Sequence, residues 1–293
     1  MFDVIRTETL TCPIHEVTYE AKTVLFGARE VTDPCPKCME EQQAKAKDEA
    51  QAEQRAQAAQ LLQRQVERRF QMSALPPRYL TRTFDNYRAE TEGQQKALVV
   101  TQRYAENFDH CMETGAGMIL AGRPGTGKTH LACAIANDLI QQGRTALFIT
   151  VASLLRKIRE TYGNREGGKT EQQVFNELRQ IDLLIVDEVG VQRGTESEEH
   201  LLFEVLNERN AYYRPTILIS NLNAKDMTAY VGERSMDRMR EGGGKFVAFD
   251  WESYRPRVAK DQDLPTASAV DMPRMYASVS EAVMDIGNTE WAR

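Results

Sequence analysis

The stretch GMILAGRPGTGKTHLACAIANDLI, residues 117–140, constrains the fold more than any other part of this 293-residue chain. A short apolar run of strand length leads into glycines, and a helical pattern follows. The spacing Gly122-x-x-x-x-Gly127-Lys128-Thr129 between a strand and a helix is the phosphate-loop pattern. Glycines let the backbone bend so that successive N–H groups turn toward a phosphate. The helix that follows adds the positive end of its dipole. Gly122, Arg123, Pro124, Gly125, Thr126 and Gly127 then form the cradle, Lys128 reaches the β- and γ-phosphates, and Thr129 holds Mg²⁺ through its hydroxyl. This is a nucleotide site.

The rest of the central region supplies a matching scaffold. GMILAG, TALFIT, DLLIVDE, PTILISN and KFVAFDW are strand-sized and mostly unalternating, as expected of a parallel sheet covered on both faces. Helical stretches separate most of them, so the expected fold is an α/β layered domain. Asp187 and Glu188 emerge at the carboxyl end of DLLIVDE, where open α/β sheets bind ligands. Asp187 is expected to bind Mg²⁺ and Glu188 to polarise the attacking water. Asn221, ending PTILISN, places a neutral amide where it can orient that water.

A net charge of −6 excludes a generally basic nucleic-acid coat and leaves room for a local basic strip. MFDVIRTETL has neither the basic start nor the apolar run of a signal peptide, and no stretch approaches the ~20 apolar residues of a membrane span. The expected location is cytoplasmic, with no membrane partner.

The amino-terminal region reads differently. Cys12-x-x-His15 and Cys35-x-x-Cys38 flank the β-like run EVTYEAKTVLFGAREV. Paired ligands at two-residue spacing, each expected on a tight turn, suit tetrahedral Zn²⁺. So short a module buries little core, and a metal would supply stability. Residues 39–73 are rich in Ala, Gln, Glu and Arg without Gly or Pro, a helical composition. Leu62, Val66 and Phe70 make one narrow apolar stripe suited to a partner helix. The expected division is a zinc module at 1–38, a helical linker and partner-binding segment at 39–80, the nucleotide-binding domain at 81–258, and a loosely docked tail at 259–293.

From Thr83 to Val258, the segments TFDNYRAETEGQQKAL, GRPGTGKTHLACAIANDL, IDLLIVDEVGVQ, GERSMDRMR and FDWESYRPRV resemble the DnaC-type replicative helicase loaders, within the AAA+ ATPases. IstB-like transposition ATPases share the core, but the residues after Asp-Glu and the FDWESYR ending are more similar to the loaders. The resemblance implies an AAA+ P-loop core with no separate lid domain, and ATP/ADP as the nucleotide. It also implies a ring or spiral of copies that places a hexameric helicase on single-stranded DNA. Asn221 takes the sensor 1 position, Arg238 that of the arginine finger and Arg255 that of the sensor 2 arginine. Phe84 and Tyr87 fall in the segment that runs beside the adenine. Arg234, one helical turn before Arg238, is expected to support the interface between copies.

VASLLRKIRETYGNREGGKT matches a helical segment that touches DNA in the loaders. Arg156, Lys157, Arg159, Tyr162, Arg165 and Lys169 gather there, either to meet phosphates and a base or as a solvated face. Two other functions fit the same residues: an IstB-like helper acting on duplex DNA, and a zinc-anchored adaptor that binds nucleotide without turnover. The intact Glu188 and Arg238 speak against the adaptor.

Overall fold

A computed structural model of the chain describes residues 4–27, 29–163, 168–191 and 196–254. It divides into two compact units, Met1–Arg64 and Gln65–Arg293. Among the described residues, no helix is long and apolar enough to cross a membrane.

The first unit opens with an antiparallel meander of β1 (Val4–Thr11), β2 (Thr18–Phe26) and β3 (Arg29–Thr32). Only the second half of this sheet was legible as β-like in the sequence. A long helix follows, α1 (Pro36–Met72), within which the unit boundary falls. Its start three residues earlier than expected follows from Pro36, whose fixed φ suits the first helical position. Cys38 therefore stands on a first helical turn rather than on a tight loop.

The second unit runs α2 (Glu92–Glu106), α3 (Phe108–Thr114), β4 (Met118–Gly122), α4 (Lys128–Gln141), β5 (Ala146–Thr150), α5 (Val151–Arg159) and α6 (Glu171–Gln180). It continues through β6 (Leu183–Val189), α7 (Glu196–Ala211), β7 (Thr216–Ser220), α8 (Ala224–Val231), α9 (Glu233–Arg240) and β8 (Lys245–Phe249). The five strands pair in parallel in the order β5-β6-β7-β4-β8. Successive residues of β4 point to opposite faces, and both faces are covered. Met118 and Leu120 join a core with Leu131, Ile135 and Leu139 of α4, whereas Ile119 and Ala121 join Leu154, Leu202 and Met236 on the other side. Phe70, expected in a stripe for a partner, packs against the α4-side core, while Leu62 is 60% exposed.

A buried guanidinium that the sequence reading missed ties the far end of the sheet. Arg209, at the end of α7, donates to the carbonyls of Leu178, Ile181, Asp182 and Pro215 and to the Thr216 hydroxyl. Full burial pulls its pKa down to about 9. Enough acceptors surround it to keep a charge inside.

Candidate nucleotide and metal sites

The chain crosses from β4 to the sheet edge at β5, returns through β6 and β7, and only then passes to β8 on the other side. The carboxyl ends of β4, β6 and β7 thus meet at the switch point of the sheet, where such folds form their crevice. The phosphate loop leaves β4 there. Gly122 has φ +137, and a Cβ would lie 2.2 Å from the Phe249 carbonyl, so only glycine lets the loop pass β8 so closely. Gly127, at φ +98, has the Tyr87 ring 2.7 Å from where its Cβ would be. Lys128 is buried, and its Nζ donates to the carbonyls of Gly122 at 2.8 Å and Arg123 at 2.7 Å. Thr126 Oγ1 also donates to the Arg123 carbonyl, at 2.8 Å.

Thr129, on the first turn of α4, donates through Oγ1 to Asp187 Oδ2 at 3.0 Å. Burial raises the Asp187 pKa, partly offset by the Glu188 N–H and the Thr129 hydroxyl. A hydroxyl and a carboxylate so placed are of the kind that can hold a hard divalent cation between α4 and β6. Glu188 follows, exposed, at φ +63. The β6–β7 register explains that backbone: Val186 pairs with Leu218 and Val189 with Ser220, so two residues of β6 oppose one of β7. Such a bulge re-aims the side chains it carries. The buried Ser220 hydroxyl fastens it, donating to the Val189 carbonyl at 2.6 Å and accepting the Leu222 N–H at 3.0 Å. Asn221 stands exposed between those two residues.

Three further groups at the loop were not singled out by sequence reasoning. Trp251 Nε1 donates to the Thr126 carbonyl at 3.0 Å, the Tyr254 N–H donates to the Gly125 carbonyl at 2.9 Å, and Arg88 holds the Tyr254 hydroxyl at 2.8 Å. His130 and Asn137 on α4 bind the segment before α2: His130 Nε2 lies 3.0 Å from the Thr83 carbonyl, and Asn137 Nδ2 donates to the Tyr79 and Arg82 carbonyls. This carries Phe84 onto the core and Tyr87 onto the loop.

Arg238 lies elsewhere. It lines a small hollow with Gly117 and Thr216, the residues at the amino ends of β4 and β7, and pairs with Glu241 at 2.9 Å. Five residue steps along β4, about 16 Å, separate Gly117 from Gly122, where the phosphate loop begins. Arg234 instead lines an open cavity of about 420 Å³ with Thr228, Glu233 and Arg240, so the two arginines face different hollows. Arg255, Arg165 and the tail 259–293 lie outside the described residues.

The basic run of α5 is partly engaged by the chain's own acids. Lys157 and Lys169 both reach Glu177, at 3.4 and 2.6 Å, and Arg159 meets Glu198 at 3.4 Å. Arg156 is exposed, as is Tyr162.

In the first unit, the side chains of Cys12, His15, Cys35 and Cys38 converge, their ligand atoms all within 4.8 Å of one another. His15 Nδ1 lies 3.6, 4.0 and 3.4 Å from the sulfurs of Cys12, Cys35 and Cys38, and Cys12 and Cys38 are 3.7 Å apart. These are close to the edges of a tetrahedron whose centre lies about 2.0–2.3 Å from each donor. The other ring nitrogen, Nε2, meets Glu41 Oε1 at 2.9 Å, a carboxylate that the sequence reading missed. The group can hold a metal ion. Cys111 and Cys133 are buried in helices, with thiols pushed upward by burial.

Comparison with known proteins agrees with this architecture. Replicative helicase loader DnaC of Escherichia coli strain K12 is 42% identical over 193 residues, 66% of this chain and 77% of that protein. The DnaC of Buchnera aphidicola from Acyrthosiphon pisum is 40% identical over 180 residues, covering 61% and 72%. A crystal structure of the DnaC helicase loader superposes with a TM-score of 0.53 at 21% identity, over 60% of this chain and all of that one. The family model described as IstB-like ATP binding protein matches residues 39–258, and the chain belongs to that family, as an ATP-binding AAA+ ATPase of the kind that includes the DnaC loaders.

Proposed function

We propose that the chain is an ATP-driven loader of a hexameric replicative helicase onto single-stranded DNA, acting as a ring or spiral of its own copies. The position of Arg238 carries this reading. This arginine borders the amino ends of β4 and β7, a strand length from the phosphate loop of its own chain, which supports a phosphate on a neighbouring copy as its target. The names of the DnaC relatives support the helicase as partner.

In this reading the loop of residues 122–127 and Lys128 bind ATP, and Tyr87 lies beside the base. Thr129 and Asp187 would hold Mg²⁺, which neutralises charge on the phosphates. Glu188 takes the proton of the attacking water, which Asn221 orients, and the neighbour's Arg238 approaches the γ-phosphate from the far side. Arg255 is assigned to the phosphates in cis. Cys12, His15, Cys35 and Cys38 would hold Zn²⁺, which fixes the meander to the start of α1. That module, residues 1–38, and the helical segment 39–80 form the helicase contact, while 81–258 is the ATPase domain. Arg156 on α5 and Tyr162 in the turn after it are the exposed DNA contacts, with Lys157 and Arg159 joining once released from their acids.

The test is to supply a hexameric helicase and circular single-stranded DNA, and to measure unwinding with and without this chain and ATP. Loading that requires both is expected. Preference for duplex DNA with no effect on the helicase would favour an IstB-like helper instead.

A further inference from the structure

A peptide unit is planar and trans, so its C=O and N–H point in opposite directions. Fixing the carbonyl of one loop residue therefore aims the N–H of the next. At the phosphate loop, the Thr126 carbonyl receives two side-chain donors, Trp251 Nε1 at 3.0 Å and the Tyr87 hydroxyl at 3.5 Å. The Gly125 carbonyl receives the Tyr254 N–H at 2.9 Å. The Gly127 and Thr126 N–H groups are thus turned away from the segment 251–254, and these are among the donors that such a loop offers to phosphate oxygens.

The strap that does this is itself held. The Trp251 ring centroid lies 4.8 Å from that of Phe249, at the end of β8. A Cβ on Gly93 would lie 3.2 Å from the indole, so the first turn of α2 packs tightly beside it. Burial pushes the Tyr87 hydroxyl up to about 12, which keeps it a neutral donor at working pH.

We propose that Trp251 is a positioning residue of the nucleotide site, orienting the Thr126–Gly127 peptide so that the loop N–H groups meet the phosphates, with Tyr87 as a weaker second donor to the same carbonyl. This deepens the assignment of residues 122–129 as the phosphate cradle and rests on it. The same contact links the stretch immediately before Arg255 to the loop.

Two measurements test it. In the full-length chain, Trp251→Phe keeps an aromatic ring and removes the N–H. Calorimetric titration should show affinity for ADP and for inorganic pyrophosphate falling together, by about threefold to tenfold, the worth of one such hydrogen bond. Tyr87→Phe should weaken both ligands by a smaller factor. A fall for ADP alone would make Trp251 a contact of the base and overturn the proposal, as would no fall for either. Should the wild type bind neither ligand, the cradle assignment itself fails, which is a separate result. The second measurement needs no change at Trp251. Trp291→Phe leaves it the single tryptophan of the chain, and pyrophosphate alone should then alter its emission. Unchanged emission overturns the proposal even if Trp251→Phe does not fold.

Discussion

Thr129 Oγ1 donates to Asp187 Oδ2 at 3.0 Å, joining the first turn of α4 to the end of β6 across the crevice. Thr129→Val keeps the shape and removes the hydroxyl. Affinity for Mg²⁺–ATP should drop by about tenfold, the worth of one ligand of charge-assisted type, while Mg²⁺-free ADP binds as before. Burial raises the Asp187 pKa. As pH falls, Mg²⁺-dependent binding should therefore fade at a higher pH than expected of an ordinary carboxylate. Nucleotide titrations with and without Mg²⁺ across a pH series check both outcomes.

Ser220 bridges Val189 and Leu222, and so fixes Glu188 and Asn221 relative to each other. Ser220→Ala should lower turnover by about tenfold and leave the ATP dissociation constant unchanged. It should also cost about 1–2 kcal/mol of stability, because the buried Val189 carbonyl and the half-buried Leu222 N–H lose their hydrogen bonds. Steady-state kinetics beside a denaturant titration separates the two effects. A rise in the dissociation constant with no change in turnover would place Ser220 outside the catalytic arrangement.

His130 is held by burial below its ordinary pKa of 6.5. Unfolding frees the imidazole to take a proton that the folded chain refuses. The unfolded state thus binds more protons below about pH 6.5, and stability falls as pH drops through that window. His130→Gln should flatten this part of the stability–pH curve relative to wild type. Urea midpoints at pH 7.5, 6.5 and 5.5 for both proteins provide the comparison.

The four ligands Cys12, His15, Cys35 and Cys38 should carry one Zn²⁺ per chain, read by elemental analysis. Glu41→Gln removes the carboxylate that orients His15 and should weaken metal affinity by about 10- to 100-fold. Cys35→Ser with Cys38→Ser should abolish metal binding and co-elution with the helicase, with nucleotide binding intact. Metal-free wild type that still co-elutes would move the helicase contact away from this module.

Much of this was legible because the relevant signals are local. The phosphate loop, the acidic pair at a strand end and the Cys-x-x-His with Cys-x-x-Cys spacing each declare themselves within a few residues. The five mostly unalternating runs match the five parallel strands found among the described residues. What the sequence withheld depends on contacts between distant segments. Glu41 is recognisable only once α1 is seen to start at Pro36 and face His15. Trp251 and Ser220 act through backbone carbonyls, which no side-chain pattern announces. Arg209 reads as an ordinary surface charge until the end of α6 at Leu178 and the backbone at Ile181 and Pro215 close on it. The α5 cations read as free because Glu177 and Glu198 lie on other elements.

With Arg238 at the amino end of β4 and Lys128 at the carboxyl end, the proposed reading has one copy complete the site of the next. Lys128→Ala removes nucleotide binding but leaves Arg238 to offer a neighbour. Arg238→Ala binds ATP but has nothing to offer. With helicase and single-stranded DNA present, each variant alone should lose ATP turnover by ~10³-fold or more. Mixed together, they should regain a measurable part of it, since each Arg238→Ala site can be completed by a Lys128→Ala neighbour. Wild-type turnover by Arg238→Ala alone, or a mixture no faster than its separate components, would contradict catalysis between copies.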